Sequence, residues 1–419
     1  MGRKLISALT VLIFVMMAAI PLVATQQNQQ NTAMTGETIM HTFITGVSSG
    51  NGKGPNGAPG GPGSSGPSSY PAYTPGQIFY AYNYSAKYRG NGKTIAIIDA
   101  YGSPSIQNDV NVFDSQFNLP SINLTILTPF GKVGRNSGWA LETSLDVEWS
   151  HAMAPNASIL LIETPSASST YLITDSVNYV VNHTSANVVS MSWGTAESGL
   201  TASELAQYSS TFAYAENHGL ILVAASGDSG ANDGTSSPTV NYPASDPSVV
   251  GAGGTTLNLK DITSTSATYS YEYAWNSSGG GVSSYFHLPS YQSGAGITAS
   301  GRAVPDVSYD ANPNTGFWIY DSTTYEGLKG WIQVGGTSAS SPQWAAIFAE
   351  AQQALGTTSF NGANVHHDLY SVYSSSSTEY AAAFHDITIG YNGYYYAGSG
   401  YDEVTGIGSP NVGALIKYL

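Results

Sequence analysis

The sequence predicts an α/β protein: a single large domain whose central sheet is largely parallel and flanked by helices on both faces. Three observations lead there. Short apolar runs rich in β-branched residues recur at residues 94–99, 158–163, 187–192 and 220–225, as strands buried on both faces do. Helix-compatible segments lie between them, at about 138–152, 170–183 and 201–218, and strand–helix–strand alternation at this spacing builds a parallel sheet. Finally, 419 residues suffice for one large domain with a substantial core.

The chain opens with Arg3-Lys4 before an uncharged apolar run from Leu5 to Ala24, which reads as an export signal over residues 1–25. The run is nearly long enough to span a bilayer, so a membrane association is expected only if the signal stays uncleaved. Residues 26–70 are polar, then dominated by Gly, Ser, Pro and Asn. Such a segment cannot bury a core and reads as linker. The folded domain is expected over residues 71–419.

Within it, Asp99, the stretch Ser192-Trp193-Gly194 and the stretch Ser226-Gly227-Asp228 all fall at the carboxyl ends of expected strands. Ligands of parallel sheets bind there. The helical segment near 138–152 carries Glu142 and Asp146 four residues apart, on one face, beside a stripe of Leu141, Leu145 and Trp149. Two acids at that spacing raise one pKa and share a proton, unless the face is simply solvated. After about residue 255 the chain is turn-rich, with short strands returning before residue 335.

Gly335-Gly336-Thr337-Ser338-Ala339-Ser340-Ser341-Pro342 then joins a strand-like run, 331–334, to a run of helix formers, 343–351. A hydroxyl at such a junction sits near free backbone N–H groups and the positive end of the helix dipole. It can serve as a nucleophile or merely as an N-cap, and taken alone the stretch reads as a cap. The tail from His385 to Leu419 is dense in Gly, Tyr and Asp and closes with a short helix from Pro410.

Composition excludes several classes. There is no cysteine, so disulfides, thiolate metal sites and cysteine nucleophiles are out. Charged residues are only 9% of the chain and the formal net charge is −15, from 27 acidic and 12 basic residues. Without a basic face, nucleic acid is not expected as a partner. Sparse charge limits self-repulsion when carboxylates protonate, which suits an acidic medium. Five Asn-x-Ser/Thr sequons, starting at Asn83, Asn123, Asn156, Asn182 and Asn276, fit an exported chain. None of the eight histidines lies in a zinc motif, and His218-Gly219 ends a helix rather than opening one. All eight read as structural or surface residues.

From about Tyr70 to the C-terminus the chain resembles the sedolisin (serine-carboxyl peptidase) family, acid-acting relatives of the subtilisins. The landmarks that carry the resemblance stand in family order: Thr74-Pro75-Gly76-Gln77, Ile98-Asp99-Ala100-Tyr101-Gly102, Glu142-Thr143-Ser144-Leu145-Asp146, Ser190-Met191-Ser192-Trp193-Gly194, Ala225-Ser226-Gly227-Asp228, Gly279-Gly280-Gly281, Val304-Pro305-Asp306 and Gly335-Gly336-Thr337-Ser338. The resemblance implies a subtilisin-like fold and a secreted peptidase of polypeptide substrates, working as a monomer in an acidic environment. It implies Ser338 as nucleophile, Glu142 as general base and later acid, Asp146 as the residue orienting Glu142, and Asp228 as oxyanion partner. Glu142 must be ionised and Asp228 neutral, so activity is expected to peak well below about pH 5, given carboxyl pKa values of roughly 4.

By the same resemblance an extended substrate would pair with two edges: Ser192, Trp193 and Gly194 on one side, Ala225, Ser226 and Gly227 on the other. Trp193 itself reads either as pocket wall or as core. One structural Ca2+ ion is implied in the tail, held by the carboxylates of Asp386 and Asp402 and the carbonyls of Ile387, Gly398 and Gly400, an all-oxygen shell of the kind calcium prefers. The alternative from another class is a non-catalytic exported surface glycoprotein on the same fold. An ordinary Ser-His-Asp subtilisin would need a His-Gly-Thr helix start, which the sequence lacks.

Overall fold

Among the described residues the central sheet has eight strands. From one edge they run Thr268–Ala274, Val250–Lys260, Ile221–Ala225, Val188–Met191, Thr94–Ala100, Ser158–Thr164 and Asn123–Leu127, with Val307–Asp310 pairing the second. Every neighbouring pair is parallel except the first. The computed structural model describes Thr38, Met40–Thr42, the backbone of Thr45–Ser49, and all residues from Ala72 onward. The expected export signal lies outside the described residues. No helix among the described residues is long and apolar enough to cross a membrane.

Alternation along each strand divides the core in two. Ile95 and Ile97 face one apolar cluster, with Leu141, Leu145, Trp149 and the helix Ser340–Leu355; Ala96 and Ile98 face the other, with Leu172, Val177, Leu205 and Phe212. The sheet is thus covered on both sides, as the apolar runs required. Strand order reverses between Thr94–Ala100 and Val188–Met191, which places a crevice at their carboxyl ends.

Two helices meet under that crevice. The first, Ser137–Met153, is started by Asn136, whose side chain accepts from the N–H groups of Gly138 and Trp139. Every residue from Trp139 to Met153 is buried. Glu142 and Asp146 therefore do not belong to a solvated face; that reading is excluded. The indole of Trp149 donates to Trp318 O at 3.0 Å, tying this helix to a hairpin made by Phe317–Tyr325 and Leu328–Gly335. The hairpin turns on Glu326 and Gly327, both at positive φ (48° and 83°), the backbone of a two-residue hairpin loop. The second helix, Ser340–Leu355, follows the hairpin after one short turn, Thr337–Ala339.

Two features depart from the sequence reading. The stretch after residue 255 is less irregular than expected, because Val250–Lys260 and Thr268–Ala274 form a long antiparallel pair. Strands also occur inside the segment read as linker. His41–Thr42 pairs antiparallel with Trp193–Ala196, and Thr45–Ser49 pairs antiparallel with Leu328–Gly335. Residues 37–419 form one compact unit that includes both.

Candidate active site

Ser338 lies in the tight turn Thr337–Ala339 between the hairpin and the helix Ser340–Leu355. Gly336, at φ 110°, makes the turn possible, because an L side chain is strained there. Gly335 has no room for a Cβ, which would strike the backbone of Pro313 and Ala311. The hydroxyls of this stretch do not cap the helix. Ser340 Oγ donates to Gly253 O at 2.9 Å, Ser341 Oγ contacts Ser190 Oγ at 3.0 Å, and Thr337 Oγ1 donates to Asp228 Oδ1 at 2.8 Å. The cap reading of the stretch is replaced by one in which each hydroxyl has its own tertiary partner.

Ser338 is buried, and its Oγ donates to Ser192 O at 3.3 Å. It also interacts with Glu142 and lowers that group's pKa. Neither carboxylate oxygen of Glu142 has a hydrogen bond of good geometry, so the Ser338–Glu142 contact is a loose one. Catalytic hydrogen bonds are often long before substrate binds. Asp146, one turn further along the helix, accepts from Ser192 Oγ at 2.7 Å. That hydroxyl also lies 3.3 Å from Ser338 O, so Ser192 links the acid helix to the serine turn.

Burial dominates the electrostatics. It pushes Glu142 well above the usual carboxyl range, and Asp146 and Asp99 add to the rise by repulsion. Asp146 is raised by burial and then by Asp99, against the hydrogen bond from Ser192. Asp99, at the end of its strand, is pushed up to about 7 by burial. Three carboxyls thus share one dry region, and like charges there cannot all be ionised together.

Asp228 stands on the other side of the serine. Its Oδ1 accepts from Thr337 N and Thr337 Oγ1, each at 2.8 Å, while the buried Oδ2 has no hydrogen-bond partner in the protein. Burial pushes its pKa up to about 7 despite the two donors. A neutral Asp228 with Oδ1 already engaged would carry its proton on Oδ2, the free position.

The structure therefore brings Ser338, Asp228 and the helical pair Glu142 and Asp146 together from three separate stretches of the sequence. It adds residues that sequence reasoning gave no role: Asp99, Thr337 and the Ser192 hydroxyl. Asp99 had a visible signal, an acid closing an apolar strand. Thr337 and Ser192 had none, because their partners lie 109 and 46 residues away.

Of the two stretches expected as substrate edges, Ser192-Trp193-Gly194 pairs with His41–Thr42 through Trp193 and Gly194, and Ala225-Ser226-Gly227 lies against Gly279, where Gly279 N donates to Gly227 O at 2.7 Å and Ser226 Oγ donates to Gly279 O at 2.7 Å. The Trp193 side chain is core: it is fully buried and its indole donates to Ile98 O at 2.6 Å. Only its backbone belongs to the edge. A Cβ at Gly194 would strike Asn241, whose Nδ2 bonds Asp233 Oδ2 at 2.8 Å.

In the tail, Asp402 accepts from the N–H groups of Gly398, Val404 and Thr405, and Asp386 accepts from Gly400 N at 3.0 Å. Two carboxylates thus bracket one Gly398–Gly400 turn, with Gly400 at φ 80°. Burial pushes Asp402 up to about 6. No group of three or more acid, His or Cys side chains among the described residues is placed to hold a metal. The expected shell has only two such side chains and draws its other donors from carbonyls.

Residues 134–381 match the family model described as the subtilase family. Kumamolisin of Bacillus sp. (strain MN-32) is 33% identical over 369 residues, covering 81% of this chain and 62% of that protein. Sedolisin of Pseudomonas sp. (strain 101) is 32% identical over 356 residues, covering 78% of this chain and 57% of the relative. The chain thus spans about three fifths of the length of these relatives. Among solved structures, Pseudomonas sedolisin, a serine-carboxyl proteinase complexed with two molecules of pseudo-iodotyrostatin, superposes with a TM-score of 0.74 at 29% identity, over 84% of this chain and 98% of that one. With its subtilisin-like α/β fold, this chain belongs to the subtilase family, within the sedolisin branch of it.

Proposed function

We propose that this protein is a serine-carboxyl peptidase that hydrolyses polypeptides under acidic conditions. The observation that carries the reading is the meeting of Ser338, Glu142, Asp146 and Asp228 in one buried cluster at the carboxyl-end crevice of the sheet. The names of the relatives support it.

In this reading Glu142 takes the Ser338 proton as Oγ adds to the substrate carbonyl, and later gives it to the leaving amine. Asp146, held by Ser192, orients Glu142 and keeps a proton within the cluster. The oxyanion that forms accepts a hydrogen bond from protonated Asp228 at Oδ2, with Thr337 holding the carboxyl in place. A histidine base would be protonated at such pH and could not serve. Because Asp228 is raised to about 7, activity is expected to be lost as pH rises through that value, a higher limit than an unperturbed carboxyl would set. On the acid side activity falls when Glu142 can no longer ionise, and its raised pKa brings that limit upward too.

A structural calcium ion in the tail fits the donor chemistry. Asp386 and Asp402 already converge on one glycine turn, and Ile387, Gly398 and Gly400 would add carbonyl oxygens. The ion would cross-brace the C-terminal loop and take no part in the chemistry. Export by the Leu5–Ala24 signal, and action as a monomer outside the cell, complete the proposal.

The test is hydrolysis of a denatured protein from pH 3 to pH 8 by wild type, Ser338→Ala and Glu142→Ala. Wild type alone should cleave, and only in acid. Equal cleavage by all three would end the reading.

A further inference from the structure

The hairpin that leads into the serine turn has an open edge, and side chains rather than a strand cover it. Among the described residues Phe317–Tyr325 is the outer strand of its sheet, paired with Leu328–Gly335 on one side and bridged only to Tyr73 on the other. Alternate residues of a strand send their backbone groups to the same edge. Here those residues are Trp318, Tyr320 and Ser322. Trp318 N donates to Tyr73 O at 3.2 Å, and Trp318 O accepts from the Trp149 indole. Tyr320 N donates to Glu148 Oε2 at 3.0 Å, and Ser322 N donates to Asp109 Oδ2 at 3.1 Å.

Carboxyls are costly groups for this task. Glu148 and Asp109 are both buried, and Oε1 of one and Oδ1 of the other have no hydrogen-bond partner among the described residues. Burial pushes Glu148 well above the usual carboxyl range against the bond from Tyr320 N, and repulsion from Asp109, Asp321 and Asp114 adds to the rise. A neutral carboxyl still accepts an N–H at its carbonyl oxygen, so the contact survives in acid. An apolar residue in either place would leave a buried N–H unpaired. Asp109 belongs to the helix Ile106–Phe117, and Glu148 to the helix Ser137–Met153, two residues beyond Asp146. That second helix therefore grips the hairpin twice, through the consecutive residues Glu148 and Trp149.

Resting on the peptidase reading above, we propose that Glu148 and Asp109 are positioning residues, whose carboxyls clip the open edge of the hairpin to two helices and so set the place of Ser338 relative to Glu142. The register carries the effect. Trp318 stands opposite Gln333 and Tyr320 opposite Trp331, on the strand that ends at Gly335, three residues before the serine. Glu142 lies on the same helix as Glu148, six residues earlier, about 9 Å along the axis. A helix and a strand clipped to it thus fix base and nucleophile in one frame, although the two touch only loosely. Neither clip residue meets the substrate. What each supplies is an acceptor at a set reach, and a displacement on the order of 1 Å at the reacting groups costs about 10²-fold in rate.

The experiment measures kcat and KM for a fluorogenic peptide in acid, with active sites counted by titration against a tight-binding peptide aldehyde so that unfolded enzyme does not enter kcat. Glu148→Gln keeps both the reach and the acceptor, and should stay within about threefold of the wild-type kcat. Glu148→Asp keeps the carboxyl but is one methylene shorter; kcat should fall by about tenfold or more while KM stays within about twofold. Asp109→Glu lengthens the second arm and should show the same loss in kcat alone, and it decides the matter if Glu148→Asp does not fold. A Glu148→Asp enzyme with wild-type kcat, or a Glu148→Gln enzyme as slow as Glu148→Asp, overturns the clip and leaves the peptidase reading standing. A wild type that cleaves nothing at any pH ends the peptidase reading, and the clip falls with it.

Discussion

In the proposed mechanism Asp228 both donates a hydrogen bond to the oxyanion and titrates, and replacing it by Asn separates the two. Thr337 N–H and Thr337 Oγ–H both point at Oδ1, 2.8 Å away. An Asn here would therefore place its carbonyl oxygen at Oδ1 and its NH2 at the unpartnered Oδ2 position. The donor to the oxyanion survives, but no proton can be lost from it. In wild type, burial moves Asp228 from 3.8 to about 7. That rise favours the neutral acid by about 4 kcal/mol. Above pH 7 the acid ionises, and an anion then faces the developing oxyanion. The assay is kcat/KM for a peptide substrate from pH 3 to pH 9. Asp228→Asn should keep activity within about tenfold of wild type in acid and lose the decline near pH 7 that Asp228 imposes. Asp228→Ala should fall by 10²–10³, the usual effect of deleting an oxyanion donor. If Asp228→Asn retains the wild-type decline, some other group sets it and the oxyanion assignment is refuted.

Further outcomes follow from the same structure. Asp99, Asp228 and Asp321 are each raised to about 7, so the native state holds protons that the unfolded chain releases above about pH 4. Stability is then greatest below that pH and falls as pH rises through 7; a melting temperature that climbs between pH 4 and pH 7 would contradict this. Chelation should lower the melting temperature of wild type and leave Asp402→Ala unaffected, read by differential scanning calorimetry. Ser192→Ala removes the 2.7 Å bond to Asp146 and should lower kcat more than it raises KM, while thermal stability changes little. Trp149→Ala empties a fully buried site in the acid helix and should cost about 3–5 kcal/mol in denaturant unfolding.

The parts of this fold that were legible in the sequence are those fixed by local pattern. The apolar run at 94–99 became the strand Thr94–Ala100, and the segment near 138–152 became the helix Ser137–Met153, because period and capping decide such elements without help from the rest of the chain. The pair Glu142 and Asp146 was legible as a pair, but its burial was not. The helix is covered on all sides by the hairpin, the sheet and the serine helix, and each of those arrives from distant sequence. The strand Val250–Lys260 was hidden by its glycines. Gly253 and Gly254 weaken any strand pattern, yet a Cβ at Gly253 would crowd Pro305 and one at Gly254 would crowd Ala311 and Trp275.

The upstream strands are the sharper case. Composition assigned Thr45–Ser49 to linker, and composition was right that the segment has no apolar pattern with which to build a core. What it could not register is that the domain offers ready-made edges at Trp193–Ala196 and Leu328–Gly335, which need only backbone from their partner. Backbone pairing with such an edge asks for no particular side-chain pattern along the partner segment. A segment held in that way looks like linker wherever it meets the edges by backbone alone, and among the described residues Met40, a buried apolar side chain, is the one by which its docking could have been noticed.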